Sequence, residues 1–199
     1  MDGFSTSLKE GHPPCRERAA RSIDDAVDDA QEGSRLFRRK RPGEEFAAAL
    51  YARTTADARR PHLFEDCGIP DTLDGRFDAL ALHAALMIDR LRREPDGEPL
   101  AQAFFDIMFR HLDLTLREIG VQDLGVGRRI KIMAEGLHGR ALAYRTALAG
   151  GTTPLSEVLR RNAYGGTAPS DGQVARLEAH VRGYVEHLAA ARRADLTKH

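Results

Sequence analysis

Histidines are the first residues in this chain whose chemistry could define a site, because imidazole binds metals and exchanges protons near neutral pH. Six of them are spread over different segments, with two on the last predicted helix: His62, His83, His111, His138, His180 and His187. None belongs to an HExxH string or to an ExxH pair that recurs on a second segment, the spacings that place metal ligands on one helix face. The sequence therefore predicts no metal site and no cofactor. For His83 it predicts a satisfied hydrogen bond in or beside the core.

A catalytic nucleophile is the second candidate. Cys67 precedes Gly68, with Asp66 and His62 nearby in the sequence. A nucleophile needs a base within hydrogen-bond reach, and no oxyanion-hole motif accompanies this cysteine. A small buried thiol is therefore the favoured interpretation.

An enzyme hypothesis stays open on other residues, because helical bundles can gather acids and histidines around a polar core cavity. Its members would be Asp74, His83, Asp106 and Asp113. It requires these four side chains to converge on one pocket.

Cationic residues follow two glycines in the string DLGVGRRIK, residues 123–131. Gly125 and Gly127 fall in the first turn of a predicted helix, where free N–H groups and the helix dipole favour anions. Arg128 and Arg129 add positive charge, which indicates a site for an anion or an acidic partner. The favoured alternative is that the glycines permit close helix packing while the bases face water. A second basic run, residues 35–41, could contact a ribosome or an anionic membrane surface.

Aromatic residues cluster in the string FFDIMF, residues 104–109. One helix cannot turn all of them to a single face. Either Phe105 and Phe109 help to line a groove open to a partner, or the helix is buried on most sides. The buried helix is slightly favoured.

Helical periodicity and capping signals place these residues on an all-α framework. The predicted helices cover residues 44–59, 72–93, 99–119 and, after an N-cap at Asp123, 124–149, followed by a short helix from Pro154 and a last one from Ser170. Residues 61–70 are predicted to be a connector, Asp71 the N-cap of the second helix, and Ser170 with Gln173 a capping box. The wide apolar stripe of the second helix predicts that it is central. We therefore expect a compact bundle of about six helices.

Composition indicates one helical domain, residues 44–196, behind a flexible N-terminal arm, residues 1–43, that is poor in apolar residues. The formal net charge is zero, so no global field favours nucleic acid, and specific DNA binding is not expected. Two unpaired cysteines and the absence of a 20-residue apolar run predict a cytoplasmic protein, or one peripheral at the inner membrane. An apolar seam over residues 174–188 leaves a dimerising interaction module as a further hypothesis.

Several strings occur together in a fixed order. They are ARRP at 58–61, GIPDTLDGRFD at 68–78, FDIMF at 105–109, LREIGVQDLGVGRRIKIMAEGLHGR at 116–140, AYRTAL at 143–148 and RRNAYG at 160–165. As a set they resemble the ubiquinol–cytochrome c chaperone family, over roughly residues 46–165, with the last helix outside the resemblance. The Ala/Arg-rich composition and the lack of a presequence suggest a bacterial member.

The resemblance implies a non-catalytic helical factor for assembly of the cytochrome bc1 complex. Its client would be unassembled cytochrome b or another bc1 subunit. The family offers no catalytic residues to carry over. The positions implied to bind a partner, with the two phenylalanines added from the groove argument, are Asp71, Asp74, Arg76, Phe105, Asp106, Phe109, Arg117, Glu118, Asp123, Arg128 and Arg129.

Overall fold

A computed structural model of the protein describes residues 43–118 and 123–197. Within those ranges the chain forms seven α-helices and a turn of 3-10 helix, with no strand. They are α1 Glu44–Asp57, α2 Pro61–Glu65, α3 Leu73–Arg92, α4 Gly97–Glu118, α5 Asp123–Leu148, α6 Leu155–Ala163, α7 Asp171–Ala190 and the 3-10 turn Arg193–Asp195. The predicted all-α class is confirmed. Residues 1–42, with the basic run 35–41, lie outside the described residues, and the domain boundaries stay a prediction.

The short helix α2 lies inside the segment that was predicted to be a connector. Pro61 occupies its first turn, where a missing N–H costs nothing and the fixed φ suits a helix. The same proline that keeps α1 from continuing therefore starts the next helix. The prediction of a plain connector is wrong for residues 61–65.

Single side chains cap the starts of α3 and α7, and the sequence predicted one of these two caps correctly. At α7, the Ser170 hydroxyl accepts from the Gln173 N–H at 3.3 Å, and the Gln173 side chain accepts from the Ser170 N–H at 2.9 Å. The predicted capping box is confirmed. At α3, the cap is Thr72, whose hydroxyl accepts from Gly75 N–H at 3.1 Å. Asp71, the predicted cap, instead pairs with Arg76.

Helix α3 is the centre of the bundle, as its wide apolar stripe predicts. Every residue from 81 to 88 is buried, and α3 packs against α1, α4, α5, α6 and α7. Helix α5 differs along its length. Between residues 125 and 136 only Val126 is buried, whereas its second half contributes Leu137, Tyr144 and Ala147 to the core.

The apolar seam of α7 packs internally. Its members are all buried in the core of this chain: Val174, Leu177, Val181, Tyr184 and Leu188. The hypothesis of a dimer built on this seam is therefore wrong, because the side chains that would meet a second copy already pack on α3 and α6. None of the helices in the described part of the chain is long and apolar enough to span a bilayer.

Candidate functional site

An open cleft of about 430 Å³ lies where α1 ends, α2 begins and the chain enters α3. We call it the charged cleft, and it is lined by Arg59, Pro61, Phe64, Glu65, Asp71 and Arg76. Arg76 Nε and Nη2 donate to the two oxygens of Asp71 at 2.5 and 3.2 Å. This hydrogen bonding lowers the pKa of the Asp71 carboxyl. Two strings that six residues separate in the sequence, ARRP and GIPDTLDGR, thus form a single surface.

The turn that presents Asp71 is fixed by one glycine. A Cβ on Gly75 would lie 2.0 Å from the carbonyl oxygen of Pro70, which is far inside contact distance. Only glycine lets the first turn of α3 fold back so tightly on the preceding loop. The LDGR part of the string is therefore required by backbone geometry as well as by charge.

A buried carboxylate, Asp57, fixes the backbone beside the cleft, just before the lining residues Arg59 and Pro61. Asp57 is 3% exposed and accepts from Arg53 Nε at 2.9 Å and from Arg60 Nη2 at 2.6 Å. Burial raises the pKa of Asp57, but the hydrogen bonds and charges of Arg53 and Arg60 outweigh it, so the net pKa is lowered. The pair of guanidiniums keeps Asp57 ionised and fixes the chain just before Pro61.

Three histidines that the sequence separates form a chain of hydrogen bonds, which we call the histidine array. His83 Nδ1 lies 2.8 Å from the Ala79 carbonyl, His83 Nε2 lies 3.0 Å from His180 Nε2, and His180 Nδ1 lies 3.2 Å from His62 Nε2. A carbonyl only accepts, so His83 Nδ1 carries the proton. His180 then donates from Nε2 and His62 donates from Nε2. One set of neutral tautomers satisfies the whole array.

Burial explains why two rings of the array, His83 and His180, stay neutral. His83 is fully buried, and burial lowers its pKa to about 4. Burial, with the neighbouring His62, also lowers the pKa of His180 to about 4. The prediction that His83 makes a hydrogen bond in the core is confirmed. Among the described residues no group of three histidine, cysteine or acidic side chains is arranged to hold a metal ion.

The four residues of the enzyme hypothesis do not gather into one pocket. His83 is buried in the histidine array, whereas Asp74 is exposed and lies 3.6 Å from Arg129. Asp106 accepts from Gln102 at 2.7 Å, and Asp113 accepts from Arg117 at 2.8 Å, both on the surface of α4. The required polar core site is absent from this part of the chain, and the hypothesis is wrong for these residues.

Cys67 is buried, and burial raises its thiol pKa, which fits the interpretation of a small core residue.

The basic start of α5 faces outward. Arg128 is exposed, and Arg129 is tied to Asp74. A Cβ on Gly127 would meet nothing within 4 Å, so the favoured interpretation that glycine permits close packing is wrong at this position. Asp123 is the first residue of α5, and its side chain lies outside the described residues. Arg117 and Glu118 are exposed at the end of α4.

The aromatic string of α4 divides between core and surface. Phe104 and Met108 are fully buried and Phe109 is 8% exposed, whereas Phe105 is half-buried. The rings of Phe105 and Phe109 lie 4.5 Å apart between centroids. The buried interpretation holds for most of the string, and Phe105 alone lines a narrow cleft against α5.

Sequence reasoning missed a buried ion pair that joins α3 to α5. Arg140 Nη1 lies 2.7 Å from Asp78 Oδ1, Asp78 is 5% exposed, and the Arg140 guanidinium lies 5.7 Å from the centroid of Phe77. Burial raises the pKa of Asp78, and Arg140 opposes that rise. Asp78 ends the string at 68–78, and Arg140 ends the string at 116–140. Their places in two strings of the same family resemblance were the one sequence signal that could have paired them.

Comparisons with known proteins found a matching family and a similar solved structure. Residues 65–199 match the family described as ubiquinol-cytochrome C chaperone. This match includes α7, which the sequence resemblance had left outside. A solved structure, the crystal structure of the Cbp3 homolog from Brucella abortus, is 31% identical with a TM-score of 0.67, covering 82% of this chain and 91% of that chain. No curated protein matches this chain.

Proposed function

The chain belongs to the ubiquinol–cytochrome c chaperone family, and we propose that it is a non-catalytic assembly factor that binds an unassembled subunit of the bc1 complex. Cytochrome b is the client we infer first, and another bc1 subunit is the alternative. We place the protein in the bacterial cytoplasm, peripheral to the inner membrane where its client is inserted. Contact with the ribosome or the membrane surface would use exposed basic residues.

The observation that carries this proposal is the makeup of the charged cleft. Its walls combine the half-buried ring of Phe64 with carboxylates and guanidiniums that face solvent. Such a surface can bind a polypeptide through one apolar contact and several charge-assisted hydrogen bonds. It contains no paired nucleophile and base, so adhesion is the chemistry its side chains favour.

Charge at the cleft also supports a protein client. Asp71 and Arg76 satisfy each other, while the side chains of Arg59 and Glu65 form no hydrogen bond or ion pair with the described residues. A partner segment that offers one acid and one base would complete both. Complementary charges of this kind set specificity more than affinity.

Deleting the gene and measuring assembled bc1 complex and free cytochrome b tests the proposal. We expect less assembled complex and less stable cytochrome b, and the wild-type gene restores both. The variant Arg76→Glu should restore them several-fold less well, since it repels Asp71 and inverts one wall of the cleft.

The matched control is Arg182→Glu, which breaks a similarly exposed pair with Glu178 on α7 and should restore assembly fully. Unchanged levels of both the complex and cytochrome b in the deletion strain would refute the proposed function. Equal restoration by both variants would refute the role of the charged cleft.

A further inference from the structure

A groove runs along α5 where this helix meets α3 and α4. Two adjoining cavities of about 150 and 50 Å³ form it, and they share Ile88, Arg92, His138 and Ala141. Phe105 lines the larger cavity. Both are smaller than the roughly 300–1,000 Å³ of small-molecule sites. The groove therefore suits single side chains of a polypeptide rather than a metabolite.

Exposed apolar side chains continue this groove onto the outward face of α5. Leu142 is 51% exposed and lines the smaller cavity, and Ile132 is 58% exposed on the same helix. Single exposed leucines are ordinary. A leucine that borders an apolar groove is instead part of a continuous surface that a partner can cover.

The uncompensated charge of this surface is positive. Arg92 is paired with Glu98 and Arg129 with Asp74. Arg145 lines the smaller cavity and forms no ion pair with any residue that the structure describes. Arg128, which is exposed nearer the start of α5, forms no ion pair with a described residue either. A complementary partner therefore carries carboxylates.

We propose that the groove and the outward face of α5 bind an apolar helix of the client polypeptide that carries acidic side chains at its end. The helix places one large apolar side chain in the groove beside Phe105 and Leu142, and sets a carboxylate against Arg145. This inference rests on the proposed function and deepens it, because it assigns the part of the chaperone that covers apolar helix surface.

Two synthetic helical peptides test this assignment on the full-length purified chain. They share one apolar sequence, and one is flanked by glutamates, the other by lysines. Fluorescence anisotropy should show the glutamate peptide binding at least about tenfold more tightly, with the difference shrinking as salt rises. Arg145→Glu should reverse the preference, and Leu142→Asp should weaken binding about tenfold.

The control Leu114→Asp changes an equally exposed leucine on α4, 52% exposed, and should bind as wild type does. Equal affinity for the two peptides, or binding that survives Leu142→Asp, overturns the proposal.

Two other possible occupants of this surface, a second copy of the chain and a membrane, would give different results in these assays. A wild-type dimer that Leu142→Asp dissociates and the peptide does not compete with would assign the surface to a second copy, against the proposal. Binding to anionic vesicles that is lost in Leu142→Asp, without peptide binding, would assign it to the membrane, also against the proposal. The peptide assay does not depend on bc1 assembly, so peptide binding can hold while the deletion phenotype fails, and the reverse.

Discussion

At the scale of single residues, two sets of buried polar side chains, the histidine array and the Asp78–Arg140 pair, hold helices together. The histidine array joins α2, α7 and α3 through ring nitrogens 3.0 and 3.2 Å apart, and the tautomer of each ring is fixed by its neighbour. The Asp78–Arg140 pair joins α3 to α5. Removing one member of such a set leaves a buried partner unsatisfied, which costs more than the net strength of the bond.

The histidine array should make the fold sensitive to acid. The folded pKa of His83 and of His180 is about 4, below the ordinary 6.5. Between these two pH values the unfolded chain therefore binds protons that the folded chain does not bind. Their stabilisation is complete above pH 6.5 and is lost as pH falls toward 4, at up to about 1.4 kcal/mol per pH unit for each ring. Urea unfolding at several pH values measures it.

Two variants show whether the array is responsible. His180→Gln should flatten the dependence of the unfolding free energy on pH by about one proton. His138→Gln, at an exposed ring, should leave it unchanged. A wild-type unfolding free energy that stays constant between pH 6.5 and 4.5 would contradict the burial argument.

At the scale of elements, glycines have two different roles in this chain. Gly75 lies where a Cβ would meet Pro70 at 2.0 Å, and Gly97 lies where it would meet the Leu91 carbonyl oxygen at 1.8 Å. These two glycines make tight helix starts possible. Gly136 and Gly139 stand in open space, so their presence reflects something other than internal packing.

Alanine substitution should therefore have opposite effects at the two kinds of glycine. Gly136→Ala should raise the free energy of unfolding by about 0.8–1 kcal/mol, because alanine is the better helix former. Gly75→Ala should lower it, since the turn before α3 must open. Thermal unfolding of both variants measures the difference, and a stabilising Gly75→Ala would show that this turn is not constrained as described.

At the scale of the whole molecule, α7 is part of the core and not an appended arm. Its five seam residues are buried on α3 and α6. Arg90 extends the attachment by donating to the carbonyl oxygens of Leu188 at 2.7 Å and Ala191 at 3.1 Å. The family match through residue 199 is consistent with this integration.

Truncating one seam side chain should therefore destabilise the protein without changing its assembly state. Leu177 is fully buried, so Leu177→Ala should lower the free energy of unfolding by about 2–5 kcal/mol. The mass in solution, measured by light scattering, should equal that of the wild type. A variant with normal stability and a smaller mass would reinstate the seam as a contact between copies.

The sequence alone determined the helical class, the central place of α3 and the capping box of α7. Hydrophobic periodicity and caps are local properties, readable within four residues along the chain. It determined the turn before α3 less well, because Thr72 and Asp71 are both good caps; in the structure Thr72 caps the helix and Asp71 pairs with Arg76. The family resemblance likewise came from strings that can be read in order.

Only the tertiary structure decided which side chains meet. His62 and His83 lie 118 and 97 residues from His180, and no periodicity links such distances. The charged cleft, the Asp78–Arg140 pair and the groove beside α5 all depend on how helices are arranged around α3. Periodicity fixes the buried face of each helix but leaves open which neighbour covers it, so the site could be assigned only in three dimensions.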